Sequence, residues 1–296
     1  MEEKLLENKI NKSFLKIQNK FFEKNKDTNT TIFHNIETNG FAIYCYILMR
    51  VGNQPSTEIN IKKIITFFNY IDTVKDDKKA KKKVNKSKAG LKDARSVKKY
   101  IARLIRTNLI EIIGVDFSDD KLLEEIEKID DPKIKSKKMQ EYLKKKNKAI
   151  DNYLDGINVN YEMEIKVNDY VDSDKECFSR ISSQLFTDYI KKIGHIGFSV
   201  YCLLFKLHNA EFGGDTTFGF ANPSREYIAD ILNISVRTVS EYIGLFENLR
   251  PKLIEIEEQP IVETYNSILN KDEKKQEPHH YIIYQKVDSS NKYYIG

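Results

Sequence analysis

Pro223-Ser224-Arg225-Glu226-Tyr227-Ile228-Ala229-Asp230-Ile231-Leu232-Asn233-Ile234-Ser235-Val236-Arg237-Thr238-Val239-Ser240-Glu241-Tyr242-Ile243 is the stretch on which the reading of this chain turns. Ser224 can cap a short helix whose inner face is Ile228, Ala229 and Leu232. Asn233 tolerates the left-handed turn that follows. Ser235 then caps a second helix with Val239, Tyr242, Ile243 and Phe246 inward, and Ala229 is small where the two helices would cross. A strand, Leu253 to Glu257, comes next.

Two short helices joined in this way resemble a helix-turn-helix, whose second helix is free to lie in a DNA major groove. The strand stands where the wing begins in winged-helix domains. An ordinary helical hairpin in a core is the plainer alternative.

Working outward, the chain repeats itself. Phe14 to Phe22 matches Phe178 to Phe186, and Gly40 to Cys45 matches Gly197 to Cys202. Arg95 to Ile101 matches Arg237 to Ile243, and Leu109 to Ile112 matches Leu253 to Ile256. Four blocks in one order predict two copies of one fold.

In the first copy the apolar periodicity predicts a helix around Phe41 to Met49 and another at Ile61 to Phe68. A basic loop, residues 70–93, replaces the short turn of the second copy. A recognition-like helix follows from about Ala94 to Thr107, with Val97, Tyr100, Ile101 and Leu104 inward. Leu109 to Val115 reads as a strand, partnered by Ile157 to Val167 with its period-two alternation. Between them, residues 116–156 form a helical insertion in the wing. Asp119 to Asp130 is its acidic part; Lys133 to Leu154 is basic, with Met139, Tyr142, Leu143, Ile150 and Leu154 apolar. Its expected role is structural or dimerising, and a second phosphate-facing surface is the alternative. In the second copy Tyr281 to Val287 is the expected last strand, which leaves Gln259 to Pro278 as a long polar wing tip.

The fold class expected is therefore α+β and mainly helical. Two tandem winged-helix domains, residues 14–168 and 177–296, are joined in one chain of 296 residues.

Net charge is +5, but Lys75 to Arg106 holds fourteen Lys/Arg against three Asp/Glu, so the remainder is net acidic. Such asymmetry points to a polyanion met at one place. Cys45, Cys177 and Cys202 lack metal-ligand spacing, no metal or cofactor is expected, and a reducing cytoplasm is the simple setting. The N-terminus lacks the order of a signal peptide, and no apolar run is long enough to span a bilayer. The abundance of Lys, Asn and Ile fits an AT-rich bacterial, phage or plasmid genome.

On the second recognition-like helix Ser235, Arg237, Thr238, Ser240 and Glu241 lie off the buried stripe, in types suited to base edges and phosphates. On the first, Arg95, Ser96, Lys98, Lys99 and Arg103 are more basic and better suited to phosphates. The loop lysines, Lys81, Lys82 and Lys83 among them, would track a neighbouring backbone. The second copy is expected to supply more of the specificity, the first more of the affinity. Solvated helix faces are the plain reading of all these charges.

An enzyme is not expected. His279-His280-Tyr281 with Tyr284 invites comparison with rolling-circle nicking enzymes, but those separate the two histidines and place the tyrosine on a helix. No Gly-x-x-x-x-Gly-Lys-Ser/Thr loop is present for ATP.

Two tandem winged helices with these helix-turn-helix stretches resemble plasmid or phage replication initiators of the iteron-binding kind. The resemblance implies binding of double-stranded DNA at repeated origin sites, oligomers such as a homodimer, and recruitment of host replication proteins. The basic loop departs from the compact motif and puts the groove entry of the first helix in doubt. A transcriptional regulator shares the same chemistry, and a winged-helix scaffold for protein partners is a third class.

Overall fold

A computed structural model of the chain describes residues 14–52, 54–69, 91, 93–168, 178–210, 221–249, 252–259, 261–266, 271–276, 280–287 and 293–295. The fold is α+β and mostly helical, with small sheets. Lys81, Lys82, Lys83 and nearly all of the basic loop lie outside the described residues, as do Cys177 and His279.

The first half runs from β1 (Phe14–Gln18) through a 3-10 turn (Asn19–Phe22) into α1 (Ile32–Val51). Then come β2 (Ser56–Ile59), α2 (Ile61–Asn69), α3 (Ala94–Arg106) and β3 (Ile110–Ile112). The insertion supplies α4 (Asp120–Glu127) and α5 (Pro132–Gly156) before β4 (Met163–Val167). β2, β4 and β3 form an antiparallel sheet in that order, with Thr57 and Ile112 both opposite Ile165. Met163, Ile165 and Val167 face the core while Glu164 and Lys166 face water, as the pleat requires.

The second half repeats the plan with β5 (Phe178–Ser182), α6 (Ser183–Ala210), α7 (Arg225–Leu232), α8 (Val236–Asn248) and β6 (Ile254–Glu257). β7 (Ile261–Asn266) and β8 (Lys271–Gln276) pair with each other, and β9 (His280–Val287) lies between β6 and β10 (Tyr293–Ile295). A single bridge between Ala221 and Tyr281 stands where β2 meets β4 in the first half.

The two halves share fine detail. α1 and α6 both break at one residue, Glu37 (φ 59°, ψ 173°) and Gly194 (φ 68°, ψ −179°). Three residues later in each, a glycine lies against a tyrosine of the last helix of the motif: Gly40 against Tyr100 and Gly197 against Tyr242. Equivalent residues also meet one another across a local two-fold axis. β1 and β5 pair with Lys16 opposite Arg180, its own counterpart, and the register runs symmetrically to either side. Phe41 stacks on Phe198 at 6.4 Å between ring centres. Contacts of this self-matching kind are what an isologous interface has.

The core is continuous through that axis. Phe21, Phe22, Phe33 and Phe41 form one aromatic cluster, and Phe186 and Phe198 extend it from the other half. Burial of each such ring contributes about 1.5–3 kcal/mol. Thr31 Oγ1 donates to the Ile231 carbonyl at 2.8 Å and Lys24 pairs with Asp230 at 2.6 Å, so the first half also holds the end of α7. Phe67 of α2 stacks on Phe186 in return.

Three sequence expectations need correction. Of the alternating segment 157–167, only Met163 to Val167 forms a strand. Ile157 closes α5 through its N–H to the Leu154 carbonyl, Asn158 makes a turn, and Tyr161 is 55% exposed. Leu143, counted among the apolar residues of α5, is 47% exposed, whereas Tyr142, Ile150 and Leu154 are buried. The expected polar wing tip holds the β7–β8 ribbon, in which Ile261 pairs with Gln276 and Asn266 with Lys271. The β-branched residues Ile261, Val262 and Thr264, three of four in succession, favour the strand.

Candidate nucleic-acid interface

The α7–α8 unit is built by local chemistry. Ser224 Oγ accepts from the Tyr227 N–H at 3.1 Å and starts α7. Asn233 closes it in the left-handed region (φ 53°, ψ 49°), and the Ile234 N–H reaches back to the Ala229 carbonyl at 2.9 Å. Ser235 Oγ then accepts from the Thr238 N–H at 3.0 Å, so an orphan donor of α8 is satisfied within two residues of the turn. Val239, Tyr242, Ile243 and Phe246 are buried.

The opposite face of α8 carries Arg237, Glu241, Gly244 and Asn248 at spacings of four, three and four, which is one helical stripe. The Arg237 side chain is 89% exposed, and its Nε donates to Glu241 Oε1 at 3.3 Å. A Cβ added at Gly244 would meet nothing within 4 Å. Thr238 and Ser235 share a hydrogen bond of 2.7 Å at the turn. Ser240 Oγ donates to the Val236 carbonyl and accepts from Arg225 Nη1 at 3.3 Å.

Arg225 is a residue that the sequence pattern missed. It also hydrogen-bonds Tyr281; burial raises that phenol's pKa, and the Arg225 contact and charge oppose the rise. One guanidinium thus ties the start of α7 to α8 and to β9. The adjacency is invisible in sequence because Tyr281 is more than fifty positions away.

The counterpart helix α3 is capped by Asp93, whose carboxylate accepts from Ser96 N at 2.8 Å and Ser96 Oγ at 2.9 Å. Those bonds hold its carboxyl below the ordinary range. Its basic residues are placed very differently from those of a free helix. Arg103 is turned toward α1, in an ion pair with Glu37 and over the Tyr100 ring. Burial pushes the Glu37 carboxyl up, but hydrogen bonds from Arg103 and Tyr100 and the charges of Arg103 and Lys99 outweigh it and leave the pKa lowered. Lys98 Nζ donates to the carbonyls of Asp155 and Ile157 at 3.1 and 2.8 Å. Lys98 and Arg103, expected to face phosphate, are therefore engaged inside the protein, because α5 and the kink of α1 offer acceptors that the sequence does not display. Arg95 and Lys99 remain exposed, while Ser96 serves the cap.

α5 packs along α3 at this place. Arg106 pairs with Asp151 and donates to the Asn147 carbonyl at 3.1 Å. A groove of about 300 Å³ remains between the helices, with Arg95, Lys98, Lys99 and Arg106 facing Asp151 and Asp155.

Among the described residues no group of three His, Cys, Asp or Glu is placed to hold a metal ion, and no helix is long and apolar enough to cross a membrane. No family model, curated protein or solved structure matches this chain.

Proposed function

We propose that the chain is a sequence-specific double-stranded DNA-binding protein built from two winged-helix units, acting as a plasmid or phage replication initiator at repeated origin sites. The observation that carries this reading is the accessible outward stripe of α8, presented by a capped helix-turn-helix and lined by Arg237, Glu241 and Asn248. Arg pairs with guanine O6 and N7, Glu accepts from cytosine N4, and Asn pairs with adenine. Each half also follows the order helix, strand contact, two helices, then two strands, and this supports the winged-helix interpretation. Arg237 is balanced by Glu241, so α8 brings little net charge. Phosphate contacts come from elsewhere on the basic surface, and host replication proteins are recruited once the origin is occupied.

Selection from a random duplex pool tests this. We expect one enriched motif, arranged as direct repeats, whose enrichment is lost with Arg237→Ala. Gly244→Leu should fold normally, since its side chain enters open space, yet abolish binding by filling the face that meets the groove. A palindromic motif would favour a transcriptional regulator. No motif at moderate salt would replace DNA reading by a scaffold that binds protein.

A further inference from the structure

We infer that the first half meets DNA through α5 and not by inserting α3, with the exposed lysines of α5 forming a track for backbone phosphates. The inference rests on the DNA-binding reading above and assigns a surface that the reading leaves open.

The starting point is one stripe compared in the two halves. Lys98, Ala102 and Arg106 of α3 occupy the positions of Ser240, Gly244 and Asn248 of α8. Around Gly244 there is open space. Ala102, in contrast, is only 2% exposed, and Leu154 and Ile150 of α5 are as deeply buried. Lys98 and Arg106, on either side of Ala102, are tied to the α5 backbone and to Asp151. A helix with its side chains is about 10–12 Å across, and packed helices lie about 8–10 Å apart. The α3–α5 pair is thus roughly 20 Å wide, against a major groove about 12 Å wide. α8 fits the groove and the pair does not.

What the pair offers instead is charge on its outside. Lys133, Lys137, Lys144 and Lys148 recur at spacings of four, seven and four along α5, and all four are exposed. At 1.5 Å per residue the stripe is about 22 Å long, the rise of roughly six base pairs. Tyr142, the buried residue of this stretch, lies on the far side of the helix. Glu141 is the one carboxylate between Pro132 and Ile150. Beyond Lys148 the track ends, because Asp151 and Asp155 of α5 line the groove opposite Arg95, Lys98, Lys99 and Arg106 of α3. Single-signed charge on an exposed helix, beside a helix sterically withheld from the bases, matches a phosphate backbone in a way that carries no sequence information.

The test uses the full chain and two duplexes, the selected motif and a scrambled one, with affinity followed by fluorescence anisotropy across a salt series. The variant is Lys133→Gln/Lys137→Gln/Lys144→Gln/Lys148→Gln, whose thermal melt should match the wild type because all four side chains are exposed. We expect the slope of log affinity against log salt to become shallower by about 3–4, at about 0.9 per lost phosphate contact. The fold-loss at low salt should be the same for both duplexes. Lys99→Ala should leave the selected motif unaltered. An unchanged slope, or a motif altered by Lys99→Ala, would overturn the inference while leaving α8 as the reader. If the wild type prefers neither duplex, the DNA-binding reading itself is wrong.

Discussion

Gly40 and Gly197 hold one position in two copies, yet the space around them differs, slightly at the isoleucine and more at the tyrosine. A Cβ at Gly197 would sit 2.8 Å from Tyr242 Cδ1 and 2.9 Å from Ile193 Cβ, and the latter cannot move without its backbone. At Gly40 the nearest atoms are Ile36 Cβ at 3.1 Å and Tyr100 Cδ1 at 3.6 Å. Overpacking costs about 1–3 kcal/mol, and alanine returns up to about 1 kcal/mol of helix propensity. Gly197→Ala should therefore lower the melting temperature clearly, whereas Gly40→Ala should stay within about 1 kcal/mol of wild type. Thermal melts of the two variants decide it, and the reverse order would show that the glycine–tyrosine approach is not the tight point. The kink tells a similar story three residues earlier. Gly194 adopts its positive φ freely, while Glu37 adopts it at a cost of about 1–3 kcal/mol and is held there by Arg103 and Tyr100.

At the scale of elements, the contact of α5 with α3 has a narrow base. Leu154 and Ile150 are its buried apolar residues, flanked by the Lys98 and Arg106 bonds. Leu154→Ala should cost about 2–4 kcal/mol of local stability. Hydrogen exchange should then accelerate in the C-terminal half of α5 and around Ala102, with α8 unaffected. Uniform loss of protection across the chain would mean that α5 is integral to the whole core. This contact also marks where sequence reasoning stopped. Caps, the Asn233 turn and the inward stripes of α3 and α8 were legible because each is decided within about four residues. The acceptors of Lys98 are backbone carbonyls near residue 156, which no side-chain pattern announces. The β1–β5 pair was visible as a repeated block but not as a strand, since its partner lies more than 150 positions away. The candidate site divides in the same way: Arg237 and Glu241 were readable from the helix face, while the covering of α3 was not.

For the molecule as a whole, a buried histidine of the second half sets an acid limit. His195 lies next to the kink of α6, 4% exposed, and burial holds its pKa down to about 3 from an ordinary 6.5. The folded chain thus binds fewer protons than the unfolded chain between those two values. Protonation favours unfolding, so this contribution is fully present above about pH 6.5 and declines as pH falls, by about 1.4 kcal/mol per unit. From pH 7 to pH 5 the loss from this residue is roughly 2 kcal/mol. Urea midpoints at the two pH values should differ more for wild type than for His195→Gln, and equal differences would remove His195 from the account.

The pairing of Lys16 with Arg180 and of Phe41 with Phe198 has one more consequence. In a dimer of identical chains, every alteration made for the sake of one partner is imposed on the other. Here the two partners are written separately in a single polypeptide, so each can be edited alone. Selection can keep the seam matched on both sides while the outer faces drift apart. A glycine left bare on one side and an alanine roofed over by an extra helix on the other are what such freedom leaves behind.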